Sequence, residues 1–199
     1  MSARADILST IRMRRTGSKP QPSRYKAPPI AGDQVERFAE RATIEAAEVR
    51  ILGSLGEVPD AVADILRARN MAASVHLPPD ARIGALPWGT AIALEHTAPG
   101  PNDAAVALAP FAIAETGTLV YTSAPDTPAS WHFRPGLEIA IVAAGNILPH
   151  LEDVLARVGK PLPSTINLVT GPSRTGDIEQ TLELGAHGPK ALVILVVKN

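Results

Sequence analysis

Leu137-Glu-Ile-Ala-Ile-Val142 carries one polar residue in six and shows no regular alternation of apolar and polar positions. A strand with one face in water alternates; a strand covered on both faces reads as a continuous apolar run. The segment therefore predicts a strand inside a sheet with material packed on both sides. Ile166-Asn-Leu-Val-Thr170 and Leu192-Val-Ile-Leu-Val-Val197 read the same way. Between the first two strands, Asn146 is expected to cap a helix carrying Ile147, Leu151, Val154, Leu155 and Val158, closed by Gly159 and Pro161. Between the last two, Gly176 to Leu184 reads as a second helix. Strand–helix–strand alternation predicts βαβ units and a largely parallel sheet.

Toward the N-terminus the pattern continues. Gly117-Thr-Leu-Val-Tyr-Thr122 reads as a strand, Ala109 to Ala114 as a short turn or helix, and Ala105 to Leu108 as a strand. Asp80 to Gly100 is poorly patterned apart from the strand-like Ala91 to Leu94. Ala72 to Leu77 is a strand stopped by Pro78-Pro79, and Val58 to Arg69 an amphipathic helix with Val62, Ile65 and Leu66 inward. Val49 to Leu52 is a short strand. Asp33 and Glu36 form an Asp variant of the capping box that opens a helix with Val35, Phe38, Ala39, Ala42 and Ala46 on one stripe. Before it, Ala3 to Arg15 is a helix with Ile7, Leu8 and Ile11 on a face. Pro20, Pro22, Pro28 and Pro29 then extend the chain. The organisation expected is an arm, residues 1–32, and a single α/β domain, residues 33–199.

The 199 residues hold no cysteine, which excludes disulfides, thiolate metal sites, a Cys nucleophile and an iron–sulfur cluster held by this chain's own thiolates. His76, His96, His132 and His150 show no metal-ligand spacing, so no metal site is expected. The net charge of −1 hides a basic arm, with seven Lys/Arg and one Asp in residues 1–32, on a mildly acidic body. The arm has one aromatic residue and no Gly-rich repeat, so docking onto an acidic surface of another copy or a partner is favoured over nucleic acid. No apolar run reaches membrane-spanning length and the N-terminus does not read as a secretory signal. A cytoplasmic protein with no membrane partner is expected.

Three polar segments are candidates for chemistry. Glu115-Thr-Gly-Thr118 sets a carboxylate, two hydroxyls and a glycine just before a strand. Glu115 could act as base, acid or nucleophile, or simply satisfy loop amides. Gly171-Pro-Ser-Arg-Thr-Gly-Asp-Ile-Glu179 follows a strand and opens the second expected helix. Free helix amides, the Ser173 and Thr175 hydroxyls and the Arg174 fork suit an anion. The alternative is a helix cap with Arg174 paired to Asp177. Neither a P-loop nor a dinucleotide fingerprint is present. Gly185-Ala-His-Gly-Pro189 places His187 where a titratable ring could face the same crevice, or serve the turn alone. Glu115, Ser173, Arg174 and Thr175 are expected in one crevice at the carboxyl edge of the sheet. Trp88 and the Trp131-His-Phe133 segment read as plugs rather than lids.

Together these segments resemble the signature of the LutC/YkgG-type LUD domain of lactate utilisation proteins. The family pattern has a Thr-Gly-Thr-Leu-like strand entry, then Gly-Pro-Ser-Arg-Thr-Ala-Asp-Ile-Glu, then Gly-Val-His-Gly-Pro. Here Gly176 replaces the Ala and Ala186 the Val; the polar positions are intact. The likeness is specific over residues 105–199 and looser over 33–104. It implies a three-layer Rossmann-like sandwich resembling the NagB/RpiA/CoA-transferase fold. It also implies a role in oxidising L-lactate to pyruvate beside iron–sulfur partner proteins, with the clusters on the partners. The candidate anion-binding set is Thr116, Gly117, Thr118, Ser173, Arg174 and Thr175, for a small carboxylate or phosphate, with Glu115 and His187 as catalytic candidates. The alternative is a free-standing CoA-transferase-like or cyclo-ligase-like enzyme with Glu115 as nucleophile or base. Association of copies through the arm fits either.

Overall fold

The computed structural model describes residues 3–14, 25–176, 182–184 and 187–198. Helices are α1 (Ala3–Arg14), α2 (Gln34–Ile44), α3 (Val58–Ala68), α4 (Ala81–Gly84), α5 (Ser130–Phe133) and α6 (Leu151–Val158). Strands are β1 (Glu48–Leu52), β2 (Ser74–His76), β3 (Ala93–Glu95), β4 (Ala104–Leu108), β5 (Phe111–Ile113), β6 (Thr118–Thr122), β7 (Leu137–Ala143), β8 (Ile147–Leu148), β9 (Ile166–Val169), β10 (Arg174–Gly176), β11 (Leu182–Leu184) and β12 (Ala191–Val197).

Six strands form one sheet in the order β1-β12-β7-β4-β2-β3, every neighbouring pair parallel. The apolar runs occupy its middle. Ile139, Ile141, Val193 and Leu195 face a core with α3, which contributes Val58, Val62, Ile65 and Leu66. The alternate positions Ala140, Val142, Ile194 and Val196 face Phe38 and Ala42 of α2 and the second sheet. Each fully buried aliphatic side chain of this size contributes about 1.5–3 kcal/mol, so neither face tolerates a polar run. The second sheet has the order β8-β5-β6-β9, with β5–β6 and β6–β9 antiparallel and β5–β8 parallel. Val154 of α6 packs on its outer side with Ile113, Val120 and Leu148. The fold is the mixed α/β arrangement with a largely parallel sheet that the alternation predicts.

Several expectations are corrected. Gly176 to Leu184 is no helix where described: Arg174–Gly176 pairs antiparallel with Leu182–Leu184. Ala109 to Ala114 contains β5 instead of a turn or helix, because Ala112 and Ile113 are buried between layers. The helix expected from Asn146 begins at Leu151. Asn146 ends a short 3-10 turn, and Ile147 and Leu148 join the second sheet beside β5. Asp33 does cap α2, accepting from the Val35 and Glu36 amides. Trp88 and Trp131 are buried, as plugs should be. The arm helix forms, but it buries none of its residues, and Ile7, Leu8 and Ile11 are all exposed.

Candidate functional site

The Glu115 segment is the turn of the β5–β6 hairpin. Gly117 closes it, its amide donating to the Ile113 carbonyl at 3.0 Å. Gly117 has φ +69°, and a Cβ there would overlap the Arg41 and Ala42 backbone of α2. Gly171, after β9, has φ +71°, and a Cβ there would overlap the Glu45 carbonyl oxygen. Both glycines therefore let a loop close onto the last turn of α2. The threonines of the segment are tied into the same frame. Thr116 Oγ1 lies 2.6 Å from Thr118 Oγ1, which lies 2.8 Å from Thr170 Oγ1. This hydroxyl chain joins the Glu115 turn to the residue before Gly171 and satisfies the buried Thr118 hydroxyl.

Glu115 itself turns to a residue the sequence did not single out. Its Oε2 is 2.9 Å from Nδ1 of His150, and His150 Nε2 is 2.8 Å from the Pro28 carbonyl oxygen. A neutral imidazole has one N–H; facing two acceptors, the ring satisfies both only as the imidazolium. The hydrogen bond from Glu115 raises the His150 pKa above its ordinary value, burial works against it, and the Pro28 carbonyl and the charges of Glu115 and Asp153 add to the rise. No local motif marks His150: its partners lie 35 and 122 positions away in sequence.

A cavity of about 460 Å³ is framed by Thr170-Gly-Pro-Ser-Arg174 on one side and His187-Gly-Pro189 on the other, with Glu45, Phe133 and Leu168 completing it. Ser173 is its tie: its amide donates to the Pro189 carbonyl at 2.8 Å, and its Oγ accepts from the His187 amide at 3.2 Å. Arg174 and His187 are exposed at the lining. Ser173, Arg174 and His187 are thus brought together. Glu115, Thr116, Gly117 and Thr118 are not among the lining residues; Thr116 and Thr118 belong to the hydroxyl frame and Gly117 to the hairpin turn. The Thr175 backbone lies in β10, while Asp177, Glu179 and Ala186 fall outside the described residues.

Two features of the expected anion site change. Strand β10, paired with β11, stands where the expected helix, whose first amides were to receive the anion, was to begin. The cavity also does not open at the carboxyl edge of the parallel sheet. Its residues lead into β1 and β12 at their amino ends and follow the end of β9 in the second sheet. Glu45 carried no signal in the sequence, because a helix's last turn has no pattern that announces a cavity wall, while Phe133, expected as part of a plug, is exposed at the cavity instead.

A second buried polar group lies between the sheets. Glu138, in the centre of β7, is fully buried and accepts from the Tyr121 hydroxyl at 2.5 Å; its Oε2 has no partner among the described residues. Burial pushes the Glu138 carboxyl up to about 8 despite the Tyr121 bond, and burial and Glu138 together raise Tyr121. The His132 ring stacks on Tyr121 with centroids 4.2 Å apart, and burial lowers its pKa to about 4. Among the described residues no cluster of three or more His, Asp or Glu side chains is arranged to hold a metal ion, and no helix is long and apolar enough to cross a membrane.

A six-stranded parallel sheet sandwiched between a helix and a layer made of a helix and a smaller sheet defines a Rossmann-like α/β protein. Residues 100–197 match the LUD domain and belong to that family. The chain is 35% identical over 100 residues to lactate utilization protein C of Geobacillus thermodenitrificans, a stretch that is 47% of this chain and 42% of that protein. It is 42% identical over 91 residues to lactate utilization protein C of Bacillus subtilis, covering 42% of this chain and 38% of that protein. The chain thus spans less than half the length of these two proteins. A longer match, 28% over 171 residues, joins it to the uncharacterized protein YkgG of Escherichia coli, covering 82% of this chain and 73% of that protein. The crystal structure of a DUF162 family protein from Deinococcus radiodurans superposes with a TM-score of 0.59 at 21% identity, covering 85% of this chain and 99% of that one.

Proposed function

We propose that the chain is a component of L-lactate utilization that holds a small carboxylate in the cavity between Gly171 and Pro189. In this reading it works in the cytoplasm beside iron–sulfur proteins that carry the electrons. The observation that carries the reading is that Arg174 and His187 line one cavity, within the stretch similar to lactate utilization protein C. A guanidinium matches a carboxylate with two parallel hydrogen bonds, and an imidazole beside it can donate or accept at a neighbouring hydroxyl or keto oxygen. The chain has no cysteine, so cluster thiolates in such a system come from partners.

Calorimetry with lactate, pyruvate and phosphate, on wild type and Arg174→Lys at two salt concentrations, tests this. Lysine keeps the charge and loses the fork. Lactate or pyruvate affinity should fall well beyond what screening by salt produces. A wild type that binds none of the three, or a variant that binds like wild type, makes Arg174 a surface cation without a ligand role. Copurification with cysteine-rich iron–sulfur proteins tests the partners.

A second reading, acyl transfer through Glu115, is favoured by one observation: the Glu115 side chain is half exposed beside His150. It requires an acyl-CoA to acylate the carboxylate, releasing the CoA thiol and leaving a mixed anhydride on Glu115. Intact-mass measurement after incubation with acyl-CoA and hydroxylamine decides it.

A further inference from the structure

The carboxyl ends of the parallel strands open elsewhere. Leu108 ends β4, Ala143 ends β7 and Val197 ends β12, and all three line a separate cavity of about 250 Å³. In open parallel α/β sheets the crevice beyond these ends is where ligands collect. None of the residues framing the Gly171 cavity takes part in it.

We infer that this carboxyl-edge cavity is a binding site for a short-chain aliphatic monocarboxylate. Its walls are apolar. Leu55 comes from the turn after β1, Ile83 and Leu86 from α4 and the turn beyond it, and Ile141 from β7. Three polar side chains interrupt them: Arg82, Asn146 and Lys198. An apolar body with a few convergent polar groups is the usual make-up of a small-molecule pocket. At about 30 Å³ for each water-sized volume, the space holds roughly eight such volumes, which suits a four- to six-carbon acid better than a nucleotide.

The Arg82 guanidinium and the Lys198 backbone are anchored before any ligand arrives. Asp80, buried, caps α4 and receives three bonds from Arg82: the amide and Nε at 2.9 Å and Nη2 at 2.6 Å. That fork fixes the guanidinium and leaves Nη1 uncommitted among the described residues. The charge of Asp126 also acts on Arg82. With the Asp80 carboxylate on its guanidinium, Arg82 serves as an oriented donor, and Lys198 supplies the charge for the carboxylate. The Lys198 backbone is pinned, its amide donating to the Leu52 carbonyl at 3.0 Å, while its side chain is exposed at the lip. The apolar walls reach past any lactate-sized methyl, so affinity should rise with chain length. Each further buried methylene adds about 0.8 kcal/mol, or roughly fourfold.

The site stands apart from the lactate reading, and its test separates the two. Butyrate, hexanoate and lactate are titrated into the full chain while amide chemical shifts are followed. Hexanoate should saturate, bind more tightly than butyrate and much more tightly than lactate, and move the amides of Leu108, Ala143 and Val197 rather than those of Gly171 to Ser173. Lys198→Ala should weaken hexanoate about tenfold, the loss of one charge-assisted bond. Ala143→Leu, which fills an exposed wall without touching the core, should abolish it. The proposal is overturned by no saturable binding of hexanoate to wild type, or by binding that both variants leave unchanged. Shifts confined to the Gly171 loop also overturn it, and they leave the lactate reading standing.

Discussion

His150 Nδ1 lies 2.9 Å from Glu115 Oε2, and the opposite nitrogen of the same ring lies 2.8 Å from the Pro28 carbonyl oxygen. One imidazole therefore clamps the end of the arm to the β5–β6 turn, and the clamp is complete only when the ring is charged. The sign of the pH dependence follows. The folded pKa of His150 lies above its ordinary value of 6.5, so the clamp's contribution is full below about 6.5 and is lost as pH rises through the folded value. Melting temperatures of wild type and His150→Gln should differ most in mild acid and converge in mild base. A gap that stays constant with pH would mean that the ring acts by packing alone.

Gly117 and Gly171 should be intolerant of any side chain. Each combines a positive φ with a close approach to α2 backbone that cannot rotate aside. Strain from the backbone angle costs about 1 kcal/mol, and the overlap adds to it, so Gly117→Ala and Gly171→Ala should each lose about 2–4 kcal/mol in urea unfolding. Gly145→Ala is the control, because a Cβ there meets nothing within 4 Å. Its effect should stay within about 0.5 kcal/mol. If the two loop variants match the control, the loops close onto α2 less tightly than the geometry requires.

How far the sequence could be read follows from which signals are local. The parallel sheet was legible because two-sided burial writes itself into consecutive residues, as in Leu192 to Val197. The second sheet was only half legible. Ile147 and Leu148 are too short a pair to announce a strand, and they merge by pattern with the helix that starts at Leu151. Gly176 to Leu184 looked helical because its Gly-Asp-Ile-Glu resembles a helix start, yet the described ends of the segment pair as strands. At the site, the glycines were visible as glycines, but not that both close on α2, a contact spanning over seventy residues for Gly117 and over a hundred for Gly171. Ser173, Arg174 and His187 were found through motif chemistry. His150, Glu45 and the buried Glu138 were not, since their partners are distant in sequence and Glu138 reads locally as one polar interruption of an apolar strand.

Glu138 yields the most direct pH test of the interior. It sits on β7 between Ala105 of β4 and Leu192 of β12, facing the second sheet, with one oxygen bonded to Tyr121 and the other without a partner among the described residues. Burial raises its carboxyl from 4.5 to about 8, so the folded protein holds a proton there that the unfolded chain releases near 4.5. A raised folded pKa gives stability that is full below about 4.5 and is lost as pH rises to about 8, where the folded state must bury the charge. Each unit of separation corresponds to about 1.4 kcal/mol, so the loss across the window is on the order of several kcal/mol. Glu138→Gln keeps the shape and the acceptor for Tyr121 and never ionises. The stability of wild type relative to this variant, measured by urea unfolding at about pH 5, 6, 7 and 8, should therefore fall steadily with pH. Removing the acceptor, with Glu138→Leu, should strand the Tyr121 hydroxyl and cost about 1–3 kcal/mol against Glu138→Gln at every pH, with no slope between the two variants. A wild type that tracks Glu138→Gln in parallel from about pH 5 to 8 would mean that the carboxyl stays charged in the core, with a compensating donor reaching its second oxygen.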